Sequence, residues 1–160
     1  MAPNLEQNQV EHERWMQEAL LLAKQAAEAD EVPVGAIVVA DKQIIGKGFN
    51  EPIRTCDPTA HAEIVAIRNA SQAQKNYRLP KTTLYVTIEP CTMCLGAMIH
   101  ARIDNVIFGA QEPRAGALVS HPSLLDAEYY NHQLSFLGGV LESDCAALMQ
   151  SFFKARRNRK

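Results

Sequence analysis

The sequence predicts a three-layer α/β domain in which a mixed sheet of about five strands carries helices on both faces. Short β-branched and aromatic runs alternate along the chain with longer stretches whose apolar residues recur every three or four positions, the periods of strand and helix. From Thr83 onward a helical stretch separates successive strands, and such connections pair strands in parallel. The chain has 160 residues, 47% of them hydrophobic, enough to build one core that buries about 70% of the unfolded surface. No repeat or linker interrupts it. Residues 1–160 are therefore expected to form a single domain, with a basic tail over about 154–160.

Between Val10 and Asp30, the residues Trp15, Ala19, Leu22, Ala23 and Ala26 fall on one helical face. Val34–Val39 and Ile44–Phe49 flank Asp41-Lys42 and predict a β-hairpin. Asn50 follows the second strand, where Asn is ordinarily a turn residue. Asp57-Pro58-Thr59 is turn-like, so a helix is expected over Ala60 to Ala70, with Ile64, Val65 and Ile67 on its apolar side. The polar stretch Gln72–Lys81 ends in Leu79-Pro80, and Thr83–Ile88 forms a strand that runs straight into Pro90 and Cys91. Cys91 to Arg102 is helical and apolar nearly all round. A helix without a polar face is covered on several sides, so a second subunit is expected against it, with Met98 and Ile99 in the contact. Asn105–Gly109 is the next strand, and the turn-rich Gln111–Ser120 follows. Ser123–His132 is expected to hold a short helix, Leu134–Leu141 a last strand broken at Gly138-Gly139, and Glu142–Arg157 the closing helix.

The chemistry concentrates in two short segments, His61-Ala62-Glu63 and Pro90-Cys91-Thr92-Met93-Cys94. They supply one imidazole, two thiols and one carboxylate. A catalytic zinc takes three protein ligands and keeps a fourth position for water, and His with two Cys is such a set. Cys91 and Cys94 lie on one face of a helix that Pro90 helps to start, and the N–H groups of a first turn favour thiolates. Glu63 is rotated by roughly 200° from His61 on a helix. It is badly placed to chelate beside His61, yet suited to take a proton from a water activated by the metal. Taken alone, Cys-x-x-Cys also fits a structural zinc, a redox pair or two buried thiols. A structural zinc closes with four ligands, and Cys56, Cys145, His100, His121 and His132 are the other candidates for that place.

The formal net charge of -2 does not mark a nucleic-acid binder, but its distribution is uneven. Lys154, Arg156, Arg157, Arg159 and Lys160 crowd the C-terminus. Such a group either binds phosphates or complements the dipole of a helix end. Four cysteines, two of them committed to a metal pair, make no disulfide framework and suit a reducing cytoplasm. Met1–Glu13 is polar and acidic without an apolar signal core, and no apolar run reaches membrane-spanning length. The protein is expected to be neither secreted nor membrane-inserted.

With these residues assembled, the chain resembles the bacterial tRNA-specific adenosine deaminases of the cytidine deaminase superfamily. His-x-Glu followed by Pro-Cys-x-x-Cys is the established signature of zinc nucleobase deaminases. Val32-Pro33-Val34-Gly35-Ala36, Asp57 through Glu63, and Cys145-Ala146-Ala147-Leu148 through Arg156-Arg157 extend the likeness over almost the whole length. The resemblance implies a cytidine deaminase-like fold and zinc held by His61, Cys91 and Cys94. It implies Glu63 as proton shuttle and Asn50 as a contact to the target base. It also implies a homodimer that converts the wobble adenosine of a tRNA anticodon stem-loop to inosine. The stretch Glu112–Ala117 is similar to a loop near the RNA, where the family more often has Asp, Lys and a small residue at the places of Glu112, Arg114 and Val119. Arg114 beside the site and Arg156, Arg157, Arg159 and Lys160 in the tail are the expected substrate contacts. Two other readings share parts of this pattern. One is a deaminase of a free base or nucleoside, of guanine or cytosine type. The other is an RNA-binding module with a structural zinc, for which Glu63 would be dispensable.

Overall fold

The computed structural model describes residues 4–159, so Lys160 lies outside the described residues. A short 3-10 turn, Leu5–Asn8, leads into α1 (Gln9–Glu28). The strands β1 (Gly35–Ala40), β2 (Gln43–Phe49), β3 (Thr83–Ile88), β4 (Asn105–Ala110) and β5 (Ser135–Leu137) alternate with α2 (Pro52–Thr55), α3 (Ala62–Gln74), α4 (Thr92–His100) and α5 (Glu142–Asn158). One sheet runs in the order β2-β1-β3-β4-β5. β1 pairs antiparallel with β2 and β3, whereas β3, β4 and β5 are parallel, β3 and β4 joined through α4 and β4 and β5 through a long irregular crossover.

Successive strand residues feed opposite cores. Ala36, Val38, Leu84, Val86, Val106 and Phe108 face α3 and α4. Ile37, Val39, Tyr85 and Ile107 face Trp15, Met16 and Ala19 of α1 and Cys145 of α5. This period-two division makes the three layers, because a strand buried on both faces must be apolar at every position. The β1–β2 hairpin closes through Asp41 and Lys42 at φ 50° and 60°, the left-handed pair whose twist suits adjoining antiparallel strands. On β2, Gly48 lets α3 lie directly on the strand, since a Cβ there would sit 2.6 Å from the Ala66 nitrogen. That close approach brings the start of α3 beside the end of β3 where Cys91 emerges.

The structure departs from the sequence expectations in four places. Ser123–His132 forms turns without a helix. Pro122, Ser123, Asp126 and Asn131 favour turns over helix propagation, and Leu124, Leu125 and Tyr130 still reach the core from this irregular segment. The last strand keeps only Ser135–Leu137, because Gly138 packs against the Phe108 ring and Gly139, at φ 90°, turns the chain towards α5. The short helix α2, opened by Pro52 and ended by Cys56 in the left-handed region, was not expected. Met98 and Ile99 are buried inside the domain rather than in a subunit contact, and the open side of α4 carries Met93, Gly96 and Ala97.

Candidate active site

His61 and Cys91 occupy equivalent places, each an extended residue just before a helix. His61 caps α3 at φ -70°, ψ 153°, and its carbonyl accepts the first helical hydrogen bond from Val65 at 3.0 Å. Cys91 caps α4 at φ -80°, ψ 176°, and its carbonyl accepts from Leu95 at 2.9 Å. Cys94 sits in the first turn of α4, so of the two thiols only this one lies within the helix. Two helix N-termini thus converge on one point, where unpaired N–H groups and helix dipoles favour negative charge.

His61 Nδ1 lies 3.6 Å from Cys91 Sγ and 3.5 Å from Cys94 Sγ. All three donor atoms fall within 4.8 Å of one another, and they are the one such cluster among the described residues. Zinc bond lengths of about 2.0–2.1 Å to nitrogen and about 2.3 Å to sulfur, at tetrahedral angles, separate N and S by roughly 3.5–3.6 Å. The cluster therefore fits zinc, with three ligands and room for a fourth that none of the described residues supplies. Cys56 is exposed and Cys145 is buried against α1. His121 and His132 bond the carbonyls of Pro113 and Ile103.

Without metal the three groups share charge unequally. Hydrogen bonds from Cys94 and from His61 hold the Cys91 thiol far below its ordinary pKa. The bond to Cys91, with burial, pushes Cys94 far up. The hydrogen bond between His61 and Cys91, aided by the Glu63 charge, raises the His61 imidazole. Glu63, only 3% exposed, is pushed above the usual carboxylate range by burial. A carboxyl held closer to neutrality can both accept and return a proton.

His61, Glu63 and Cys91 line a pocket of ≈ 240 Å³ with Asn50, Val34, Ile88 and Met149. Asn50 is 9% exposed, and its N–H donates to the Val34 carbonyl at 3.0 Å. The wall opposite is made by Glu112 and Ala115 of the Gln111–Ser120 loop. Arg114 of the same loop is exposed and outside the lining.

The tail cations divide. Arg156 donates to the Asp30 carbonyl at 2.8 Å and Arg159 pairs with the Asp30 carboxylate at 3.0 Å, so both dock α5 onto the end of α1. Arg157 and Lys154 point outward as exposed side chains.

Two buried glutamates escape a motif search. Glu31 accepts from the N–H groups of Ile53 and Arg54 at the start of α2. Glu89, 2% exposed, borders the pocket itself. Burial raises its carboxyl, but hydrogen bonds from Ser120, Val119 and Glu112 outweigh this and hold it below the usual range. The available signal was a lone acid between an apolar strand and Pro90, since a buried charge must find partners.

The profile of the cytidine and deoxycytidylate deaminase zinc-binding region matches residues 9–110. The tRNA-specific adenosine deaminase of Haemophilus influenzae is 47% identical over 149 residues, covering 92% of this chain and 86% of that one. Its counterpart in Bacillus subtilis is 40% identical over 148 residues, covering 92% of each. A solved tRNA:A34 deaminase superposes with a TM-score of 0.82 at 41% identity, over 84% of this chain and 98% of that chain. Guanine deaminase from Nitrosomonas europaea shares the fold with a TM-score of 0.72 at 22% identity, over 88% and 83% of the two chains. The chain belongs to the zinc-binding cytidine and deoxycytidylate deaminase family, among its tRNA-specific adenosine deaminases.

Proposed function

We propose that this chain hydrolytically deaminates the wobble adenosine of a tRNA anticodon to inosine, an RNA-editing step carried out in the cytoplasm by a homodimer of single-domain subunits. The observation that carries the reading is a zinc-sized His61–Cys91–Cys94 cluster with a buried Glu63 beside it. The family likeness supplies the substrate. A pocket of ≈ 240 Å³ lies below the range of about 300–1,000 Å³ common for drug-sized ligands and suits one base turned out of its strand. An anticodon loop is already unpaired, so presenting that base costs less than opening a duplex.

His61, Cys91 and Cys94 hold the metal. Zinc bound there supplies Lewis acidity that brings the pKa of a water from about 15.7 to about 7. Glu63 takes a proton as water oxygen adds to C6 of adenine, and delivers protons to the ring nitrogen and the departing amine. The C6–N6 bond breaks, ammonia leaves and C6 keeps a carbonyl oxygen. These steps are the established chemistry of zinc deaminases. Asn50 orients the base by hydrogen bonds, and Val34, Ile88 and Met149 exclude water from around it. Arg114 and Arg157 are left to meet phosphates.

Dimerisation is supported by an apolar groove of ≈ 830 Å³ between α3 and α4, lined by Ile67, Tyr77, Met93, Gly96 and Ala97 among others. Among the described residues, no helix is long and apolar enough to cross a membrane. The test is metal analysis combined with ammonia release from an anticodon stem-loop, free adenosine, cytidine and guanine, with inosine identified as the product on the stem-loop. The reading expects one zinc per chain and turnover of the stem-loop that weakens with salt, at a log–log slope of about -0.7 per phosphate contact. Faster, salt-independent turnover of a free base or nucleoside would replace it with the small-molecule reading.

A further inference from the structure

Glu89 lies two residues before the Cys91 ligand, and its carboxylate is surrounded by the Gln111–Ser120 loop. One oxygen accepts from the Glu112 N–H at 3.1 Å and the Ser120 hydroxyl at 2.6 Å. The other accepts from the N–H groups of Leu118, Val119 and Ser120 at 3.0, 2.8 and 2.9 Å. No cation pairs with it among the described residues. Its charge is met by four loop amides and the Ser120 hydroxyl, which come from both ends of the loop. Gly116 lies directly over the carboxylate, where a Cβ would overlap the carboxyl carbon and oxygens. The loop is thus a concave nest of N–H donors of the kind that binds anions, already filled by the protein's own side chain.

Two backbone bonds tie the same short segment to the end of β4 and to the loop that follows it. The Glu89 N–H donates to the Ala110 carbonyl and the Pro90 carbonyl accepts from Ala117, both at 2.8 Å. Residues 89 to 91 therefore set the metal ligand on one side and the pocket wall of Glu112 and Ala115 on the other. Removing the carboxylate would leave four amide N–H groups facing a site without its acceptor, and the loop would abandon that shape to satisfy them.

We propose that Glu89 is a positioning residue that shapes the substrate wall by acting as the internal anion around which the Gln111–Ser120 loop folds. It acts on substrate docking and not on the metal or on proton transfer. The inference rests on the deaminase reading for its kinetic expression, but its structural content does not depend on the substrate.

The test uses zinc-loaded full-length protein carrying Glu89→Gln, and separately Gly116→Ala, which pushes the loop off an intact carboxylate. Both variants are expected to retain one zinc per chain and to exchange the amides of Glu112 and Leu118–Ser120 about tenfold faster or more. KM for the stem-loop is expected to rise about tenfold while kcat stays within about threefold. Formate should lower part of the raised KM in Glu89→Ala, where it can occupy the emptied nest, and should leave Gly116→Ala unchanged. Unaltered exchange and KM in Glu89→Gln would overturn the proposal. So would loss of zinc or a fall in kcat at constant KM, which would assign Glu89 to the metal turn. If the wild-type protein leaves the stem-loop untouched, the substrate reading fails by itself, and the exchange rates still decide whether Glu89 organises the loop.

Discussion

Arg156 donates from Nη2 to the backbone carbonyl of Asp30 at 2.8 Å, joining residues 126 positions apart. Its guanidinium also stacks 4.8 Å above the Phe152 ring, so the side chain clamps α5 to the C-terminal end of α1. A cation engaged in this way stabilises the fold before it meets RNA. Arg156→Ala is expected to cost about 1 kcal/mol in thermal unfolding. Arg157→Ala, on an exposed side chain, should leave stability within about 0.5 kcal/mol and reduce the salt slope of stem-loop binding by about 0.7. Equal stability losses in the two variants would remove this division of the tail.

The groove between α3 and α4 gives a test of association that spares the fold. At Gly96 an added Cβ meets nothing within 4 Å of the chain itself. Gly96→Glu should raise the helix stability of an isolated subunit by about 0.5–1 kcal/mol. In a dimer joined through this groove it places a charge in an apolar contact, and light scattering should report a monomer. Met98→Glu, by contrast, buries a charge in the core and should unfold the subunit. An unchanged dimeric mass for Gly96→Glu would move the interface elsewhere.

Glu63 should be a stability liability whose sign with pH follows from burial. Its folded pKa lies above the unfolded value of 4.5. Below that value the buried acid is neutral in both states. As pH rises from there through the folded pKa, the unfolded chain ionises first and folded stability is lost. Gln does not titrate, so Glu63→Gln should raise the Tm of the metal-free protein more at pH 8 than at about pH 4. A constant difference across that range would mean that Glu63 has no raised pKa.

Metal removal should expose one reactive thiol. Cys91 is held as thiolate by its neighbours while Cys94 and Cys145 are pushed up. Chelated protein treated with iodoacetamide at neutral pH should therefore be alkylated at Cys91 and at the exposed Cys56, and zinc should protect only Cys91. Peptide mapping reads the outcome, and equal labelling of Cys91 with and without zinc would contradict a metal at that residue.

The metal cluster was legible in sequence because its chemistry is local: a ligand before each of two helices, and a carboxylate two residues past one of them. The sheet was legible because strands with both faces buried leave runs such as Thr83–Ile88 that suit little else. What could not be read depends on distant partners. Arg156 looked free for phosphate because Asp30 lies at the other end of the chain. Glu89 looked like strand punctuation because its donors are amides, and backbone N–H groups leave no mark in the amino-acid alphabet. The turns over 123–132 were mistaken for a helix because Leu124 and Leu125, half-buried, pack against the core from an irregular segment.

The most direct measurement is single-turnover inosine formation on an anticodon stem-loop by zinc-loaded Glu63→Ala, with metal content determined on the same sample. Since Glu63 is not a ligand, the variant should hold one zinc per chain like the wild type. Its rate should fall by at least about 10²–10⁴, the usual share of general acid–base catalysis. Near-normal turnover with zinc retained would contradict the assignment of proton transfer to Glu63.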